Sequence, residues 1–453
     1  MAKLMVSISG IRGVVGDGLT PEVVLRYAQA FGAYLGGGKV VVGRDSRITG
    51  PMVKHAVLSG LTAMGCDVID IGICPTPTVE LAVEHFKARG GIAITASHNP
   101  IEWNALKLID ASGMFLDEIQ GKKVIQLADE AEFRFVPWDQ IGKIELNNTA
   151  IRHHIDAILR LDLISPEKIA ARKFRVVVDC VNGAGGTILP QLLQRLGCDV
   201  IFINEDPTGL FSHPPEPLPE NLKELCQTVK RTGADLGFAV DPDVDRLAIV
   251  DEHGNPLGEE YTLALAVNYV LQKRHGPVAV NVSVTQAIDE IAAKYGAEVF
   301  RTKVGEIHVA KKMKEVKAVI GGEGNGGVIL PELHLGRDAP VGIALTLQQL
   351  AEFGGSIGEL QRSLPQYVIA KSRIELADVN IGELLKTMTN KYNNQRLDLT
   401  DGLKILWPDR WVQIRPSNTE PIIRIYAEAK TMDQANALAY QFVEEIKQLS
   451  ALS

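Results

Sequence analysis

Three times along the chain an apolar, valine-rich run gives way to a polar turn, a helical stretch and a second short strand. KVVVGRDSR (39–47) leads to GCDVIDIG (65–72), FRVVVDCVNGAGG (174–186) to GCDVIFIN (197–204), and GPVAVNVSVTQ (276–286) to GAEVFRT (296–302). Each second strand opens with glycine, a small residue, an acid and valine, as where glycine ends a helix and a β-branched residue starts a strand. Continuous apolar strands alternating with helices predict sheets covered on both faces, hence three similar α/β domains. Thr20-Pro21-Glu22 reads as an N-cap, a first-turn proline and a first-turn acid, with Val24, Tyr27, Phe31 and Tyr34 following at helical spacing.

The last quarter of the chain changes character. WVQIR and PIIRIYAEA read as strands flanking a polar loop, and a helix opens at Thr431, with Gln434 placed for a capping box. Its apolar stripe is Leu438, Phe442, Ile446 and Leu449. Strands followed by a helix predict a smaller α+β domain. At 453 residues the chain exceeds one core, and the pattern divides it into 1–150, 151–252, 253–367 and 368–453. The Pro-rich stretch 213–220 reads as a rigid loop.

A net charge of −8 argues against nucleic acid or an anionic membrane as partner. A phosphorylated small molecule would then need local cations. No run of signal-peptide length opens the chain and no membrane-spanning stretch interrupts it. Cys66, Cys74, Cys180, Cys198 and Cys226 are odd in number and show no zinc spacing. A cytoplasmic protein with reduced thiols is expected.

Two loops concentrate reactive groups. Thr95-Ala96-Ser97-His98-Asn99-Pro100 follows the apolar strand GIAI, at the sheet edge where α/β proteins bind ligands. There Ser97 is a candidate nucleophile with His98 beside it as a proton handler; the same residues also read as an Asn-Pro turn with local hydrogen bonds. Asp241-Pro242-Asp243-Val244-Asp245-Arg246 follows LGFAV. Three carboxylates at alternate positions repel one another when desolvated, which an oxygen-liganded divalent cation such as Mg²⁺ relieves. Arg246 is placed to meet a phosphoryl oxygen. A solvated acidic turn is the alternative.

Two further loops look made for a ligand. In Gly321-Gly322-Glu323-Gly324-Asn325-Gly326-Gly327 the glycines permit close backbone approach, and Glu323 and Asn325 could hydrogen-bond sugar hydroxyls; a plain hairpin turn fits as well. Arg415-Pro416-Ser417-Asn418-Thr419-Glu420-Pro421, with Arg424 beyond, offers cations, hydroxyls and an amide to a phosphate monoester. Arg12, Arg44 and Arg47 are weaker candidates of the same kind, since a single arginine is more often a surface residue.

Taken in this order, the four loops resemble the α-D-phosphohexomutase superfamily along essentially the whole chain, from SGIRG near residue 10 to the last helix. The resemblance implies four domains in a heart shape around a central cleft. TASHNP is similar to the family's phosphoserine loop, which implies a phosphorylated Ser97. DPDVDR is similar to its metal loop, implying that Asp241, Asp243, Asp245 and Ser97 hold one Mg²⁺. GGEGNGG stands at the sugar-binding position and RPSNTEP at the phosphate-binding one, which implies substrate contacts from Glu323, Asn325, Arg415, Ser417, Asn418, Thr419 and Arg424. Lys107 in WNALKLI matches a lysine near the reacting oxygen, so a general acid or base is expected there, alongside Arg12, His98 and Arg246. A hexose 1,6-bisphosphate activator, a phosphosugar partner and a monomeric or homodimeric state complete the expectation.

Departures from the pattern bear on the substrate. Where the family loop commonly reads GE-x-SGH, Asn325 takes the serine position and Gly327 the histidine position. Glu306 in TKVGEIHV stands where the mannose and glucose enzymes tend to have histidine and the phosphoglucosamine mutases aspartate. An acid favours an amino sugar, because a carboxylate pairs with an ammonium. RPSN, by contrast, is more usual in the mannose and glucose enzymes. The WNALKL and GEGNGG variants look like the phosphoglucosamine mutase branch that includes archaeal members, so glucosamine 6- and 1-phosphates are the expected pair and the mannose or glucose phosphates the alternative.

Overall fold

Each of the three repeats folds as a pair of neighbouring parallel strands joined through helix. Gly38–Arg44 pairs with Cys66–Ile73, Arg175–Asp179 with Asp199–Ile203, and Val278–Asn281 with Val299–Thr302. The computed structural model describes residues 4–7, 10–130, 132–375, 381–416 and 422–451. The first sheet has seven strands, ordered Met5–Ser7, Gly10–Val14, Trp103–Asp110, Gly90–Ile94, Gly38–Arg44, Cys66–Ile73, Ile144–Leu146. The second and third have four strands each, three parallel and one antiparallel at the edge. The last sheet is antiparallel throughout, ordered Val368–Glu375, Ile422–Ala429, Trp411–Pro416, Leu403–Leu406, Arg396–Asp398. The fold is therefore α/β in three domains and α+β in the fourth.

Local signals explain the helices that frame the site. Thr20 caps Pro21–Leu35 by accepting the Val23 N–H, and Val24, Tyr27 and Phe31 are buried beneath it. At the other end of the chain the Thr431 hydroxyl accepts from Gln434 N, and Phe442 and Ile446 of helix Met432–Ala451 are wholly buried. One continuous apolar core runs through the second and third domains, from Ile155 to Leu364, whereas the first and the last keep cores of their own. Among the described residues, no helix is long and apolar enough to cross a membrane.

Each motif segment lies between two strands that pair antiparallel. The 95–100 loop joins Gly90–Ile94 to Trp103–Asp110, 241–246 joins Leu236–Val240 to Leu247–Val250, 324–326 joins Ile320–Glu323 to Gly327–Ile329, and 417–421 joins Trp411–Pro416 to Ile422–Ala429. The first three follow a strand of the parallel core of their sheet and emerge at its carboxyl end.

Candidate active site

Ser97 is presented by a rigid turn. Its backbone sits in the left-handed region at φ +50°, which a side-chain-bearing residue adopts only when its surroundings hold it there. Arg47, fully buried, supplies the hold. Its guanidinium donates to the carbonyls of Ser97, Asn99, Pro100 and Trp103 at 2.6–2.9 Å and to Asp45 Oδ2 at 3.0 Å. Thr95 Oγ1 donates to the same Asp45 oxygen at 2.7 Å and accepts Ser97 N–H at 2.9 Å. Arg47, read from sequence as a weak phosphate candidate, is instead wholly spent on framing the loop. Arg44 turns back onto the Asp45 carbonyl at 2.9 Å.

The three acids of the second loop meet that serine. Ser97 Oγ donates to Asp241 Oδ2 at 2.7 Å, and Asp241 Oδ1 accepts the N–H groups of Asp245 and Arg246. Thr76 Oγ1 and Lys107 Nζ donate to Asp243 Oδ2 at 2.7 and 2.6 Å, and Lys107 reaches Asp245 Oδ2 at 3.3 Å. Burial and the neighbouring carboxylates of Asp243 and Asp245 push Asp241 well above the ordinary carboxylate range. Burial acts the same way on Asp243, but the Lys107 charge and the hydrogen bonds from Asp241, Lys107 and Thr76 together outweigh it and hold that acid low. For Lys107, burial opposes the charge, and Asp243 and Asp245 raise its pKa regardless.

Oxygen atoms of Asp241, Asp243 and Asp245, one from each, lie within 4.8 Å of one another. The second oxygens of Asp243 and Asp245 are buried and accept no hydrogen bond. Unpartnered carboxylate oxygens in a dry pocket are costly unless a cation meets them. An all-oxygen set of this kind fits a small hard cation such as Mg²⁺.

The metal loop also pins three domains together. The Pro242 carbonyl accepts from Ala184 N in its own domain, Asp243 from Thr76 N in the first, and Val244 from Ala339 N in the third, at 2.8, 2.9 and 3.2 Å. Val244, at φ +62° and fully buried, lets consecutive carbonyls point in these different directions.

Cations gather around the serine. Arg246 Nη1 donates to Glu216 Oε1 at 3.0 Å, and His98 Nε2 lies 3.8 Å from the same oxygen. His98 Nδ1 is 3.2 Å from Ser97 Oγ. Arg12 reaches Asn99 Oδ1 at 3.4 Å. Burial, then the Arg246 charge, lowers Arg12, and the same two causes in the same order depress His98 well below 6.5. Groups that mutually disfavour their charges create a strong local demand for an anion. A phosphoryl group on Ser97 would meet it.

In the 321–327 segment, Glu323 accepts from three protein donors: Asn281 Nδ2 and Gly305 N on one oxygen and Arg337 Nη1 on the other, each at 2.9 Å, which leaves the second oxygen room for a further donor. Asn325 Oδ1 accepts Gly327 N at 3.2 Å and shapes the turn. Glu306 accepts both the backbone N–H and Nε of Arg337, at 3.1 and 2.9 Å. The structure thus gives the Glu306 carboxylate to an arginine, where the sequence suggested an ammonium on the substrate.

In the fourth domain, Arg415 is mostly buried and its Nη1 lies 3.8 Å from Asp401 Oδ2, which accepts Val304 N at 3.0 Å. Arg415 is therefore linked through Asp401 to the turn that precedes helix Glu306–Val316. Arg424 stands opposite Arg415 across the strand pair. Ser417, Asn418 and Thr419 lie outside the described residues.

Sequence reasoning missed Asp45, Thr76, Glu216 and Arg337. Thr76 had a legible signal, an N-terminal helix position beside prolines, but nothing local directs it to Asp243, 167 residues away.

Four family models match in chain order: the α/β/α domains I, II and III of phosphoglucomutase/phosphomannomutase on residues 4–135, 152–254 and 258–368, and the C-terminal domain on 375–445. A Methanopyrus kandleri protein named "probable phosphoglucosamine mutase" is 41% identical over 443 residues, 97% of each chain. The chain belongs to the phosphoglucomutase/phosphomannomutase family. A Thermococcus kodakarensis phosphoglucomutase/phosphomannomutase is 42% identical over 94% of each chain. The crystal structure of a family protein from Burkholderia thailandensis superposes with a TM-score of 0.85 at 29% identity, covering 98% of each chain. The protein is accordingly a phosphohexomutase, an isomerase, and the acid cluster in its second domain could bind a metal.

Proposed function

We propose that this phosphohexomutase works through a phosphorylated Ser97 and a sugar bisphosphate that turns over within the site. The observation behind this reading is the Ser97 Oγ–Asp241 contact at 2.7 Å, beside the unpartnered oxygens of Asp243 and Asp245. In the first half-reaction the bond from phosphorus to Ser97 Oγ breaks as a bond to a sugar hydroxyl oxygen forms. Ser97 Oγ takes up a proton, and the hydroxyl gives one up. The proton leaving the hydroxyl is the one that ends on Ser97 Oγ: His98, neutral and 3.2 Å from Oγ, accepts it and passes it on, while Lys107, kept as an ammonium by Asp243 and Asp245, donates a hydrogen bond to the sugar oxygen. Arg12 and Arg246 offset the oxygen charge of the transferring group. Asp241, Asp243 and Asp245 would hold Mg²⁺, whose contribution is further neutralisation of that charge.

The bisphosphate then turns end for end, and its other phosphate returns to Ser97. Arg415, Ser417, Asn418, Thr419 and Arg424 grip whichever phosphate is not reacting, and Glu323 and Asn325 contact the hydroxyls between. Because Ser97 is only 6% exposed in a pinned turn, a small bisphosphate is a better priming donor than a protein kinase, which needs an extended segment. A hexose 1,6-bisphosphate is the proposed activator.

The preferred substrate pair is glucosamine 6-phosphate and glucosamine 1-phosphate, supported by the WNALKL and GEGNGG motifs and by relatives bearing the phosphoglucosamine mutase name. The second reading, mannose or glucose phosphates, is favoured by the engagement of Glu306 with Arg337, which removes a carboxylate from the amino group. A coupled assay comparing the three 6-phosphates, primed with catalytic bisphosphate, tests the choice. A tenfold preference for mannose or glucose rejects the amino-sugar reading.

A further inference from the structure

Arg337 joins three carboxylates at the site. Its side chain reaches Asp245 Oδ2 at 2.7 Å, Glu323 Oε2 at 2.9 Å and Glu306 Oε2 at 2.9 Å. It is 8% exposed, and those acids come from the metal loop, the sugar loop and the first residue of helix Glu306–Val316. Three carboxylates around one planar guanidinium use its fork geometry, which an ammonium cannot reproduce.

Space for it comes from Gly327. A β-carbon built there would overlap Cδ of Arg337, in the middle of the side chain rather than at a free end, because the far end is held by acids on three sides. Gly327 and Arg337 therefore form a matched pair: the glycine is what lets the arginine cross beneath the sugar loop.

We propose that Arg337 is a positioning residue that couples the metal loop to the sugar loop, so that a cation on the Asp241–Asp243–Asp245 cluster orders Glu323 for the sugar. The inference rests on the mutase reading above. The physical basis is competition. A divalent cation near Asp245 draws that carboxylate's charge and repels the guanidinium, whose bonds to Glu306 and Glu323 strengthen in compensation. A firmer Glu323 is better prepared for sugar hydroxyls. By linkage, sugar binding then tightens the cation by the same factor.

The test uses the full-length dephosphorylated enzyme, in which no transfer can occur. Mn²⁺ is titrated calorimetrically with and without saturating glucosamine 6-phosphate, and in parallel with mannose 6-phosphate. In the natural protein the phosphosugar lowers the Mn²⁺ dissociation constant about tenfold. In Arg337→Lys, and independently in Gly327→Ala, which displaces the guanidinium without removing its charge, the factor falls below about twofold. Should Arg337→Lys fail to fold, Gly327→Ala carries the comparison. A merely structural role would lower the melting temperature and leave the factor intact, and a retained tenfold factor overturns the inference. So does a natural protein that binds both ligands without coupling. A protein that binds neither overturns the mutase reading, and this inference with it.

Discussion

Ser97 Oγ and Asp241 Oδ2, 144 residues apart in sequence, lie 2.7 Å apart in a buried hydrogen bond. The proposed acceptor of the phosphoryl group and the first acid of the metal loop are thus one unit. Ser97→Ala removes the oxygen to be loaded while leaving the acids in place. Mutase turnover should fall by more than about a thousandfold. Intact-protein mass measurement should find one phosphate on the natural protein, mapping to residue 97, and none on the variant.

His98 gives a reporter of the same event. Burial is the largest cause of its depressed pKa, the Arg246 charge comes next, and Arg12 and Arg337 add to it against an opposing pull from Asp243. Its folded pKa is depressed below 6.5, so the unfolded chain binds more protons as pH falls below that value. Stability should therefore be lost on acidification through about 6 and below, and His98→Gln should reduce that loss. Imidazole resonances followed by NMR should show His98 neutral at pH 6. Loading Ser97 with a phosphoryl group places negative charge beside Nδ1 and should move the titration upward.

The unpartnered oxygens of Asp243 and Asp245 predict stabilisation by cation. At a hundred times its dissociation constant, Mg²⁺ should stabilise the folded protein by about 3 kcal/mol through mass action. Differential scanning calorimetry should record a rise of a few degrees, reversed by EDTA. Asp243→Asn should abolish most of the response, since it removes one ligand charge and weakens the hold on Lys107 at 2.6 Å.

Arg47→Met tests the frame of the serine loop. The substitution leaves Asp45 buried with no counter-charge and four carbonyls without their donor. A loss of about 3–5 kcal/mol in urea unfolding is expected, along with loss of turnover in whatever fraction stays folded. A variant with full activity would mean that the loop holds its shape without the guanidinium.

The parts legible in sequence were those governed by short-range pattern. The triple repeat of apolar runs forecasts the three parallel strand pairs, because strand burial on both faces leaves a continuous apolar signature. The loops stood out because each apolar strand empties abruptly into polar or glycine residues. Arg337 and Arg47 were not assignable in this way. Arg337 finds Asp245 across 92 residues, and Arg47 serves as frame rather than contact because the 95–103 segment closes over it. Which cations face a ligand and which face carbonyls is decided by tertiary packing, and neighbouring letters such as Arg44 and Arg47 look alike until that packing is known.

The three successive carbonyls of Pro242, Asp243 and Val244, each accepting from a different domain, constrain how the molecule can be assembled. An isolated second domain would leave two of those carbonyls facing water and lack Lys107 against its acids, so it could not reproduce the cation site. The frame around those acids is complete only when the first three domains have docked, so a cation held there would be taken up late in folding.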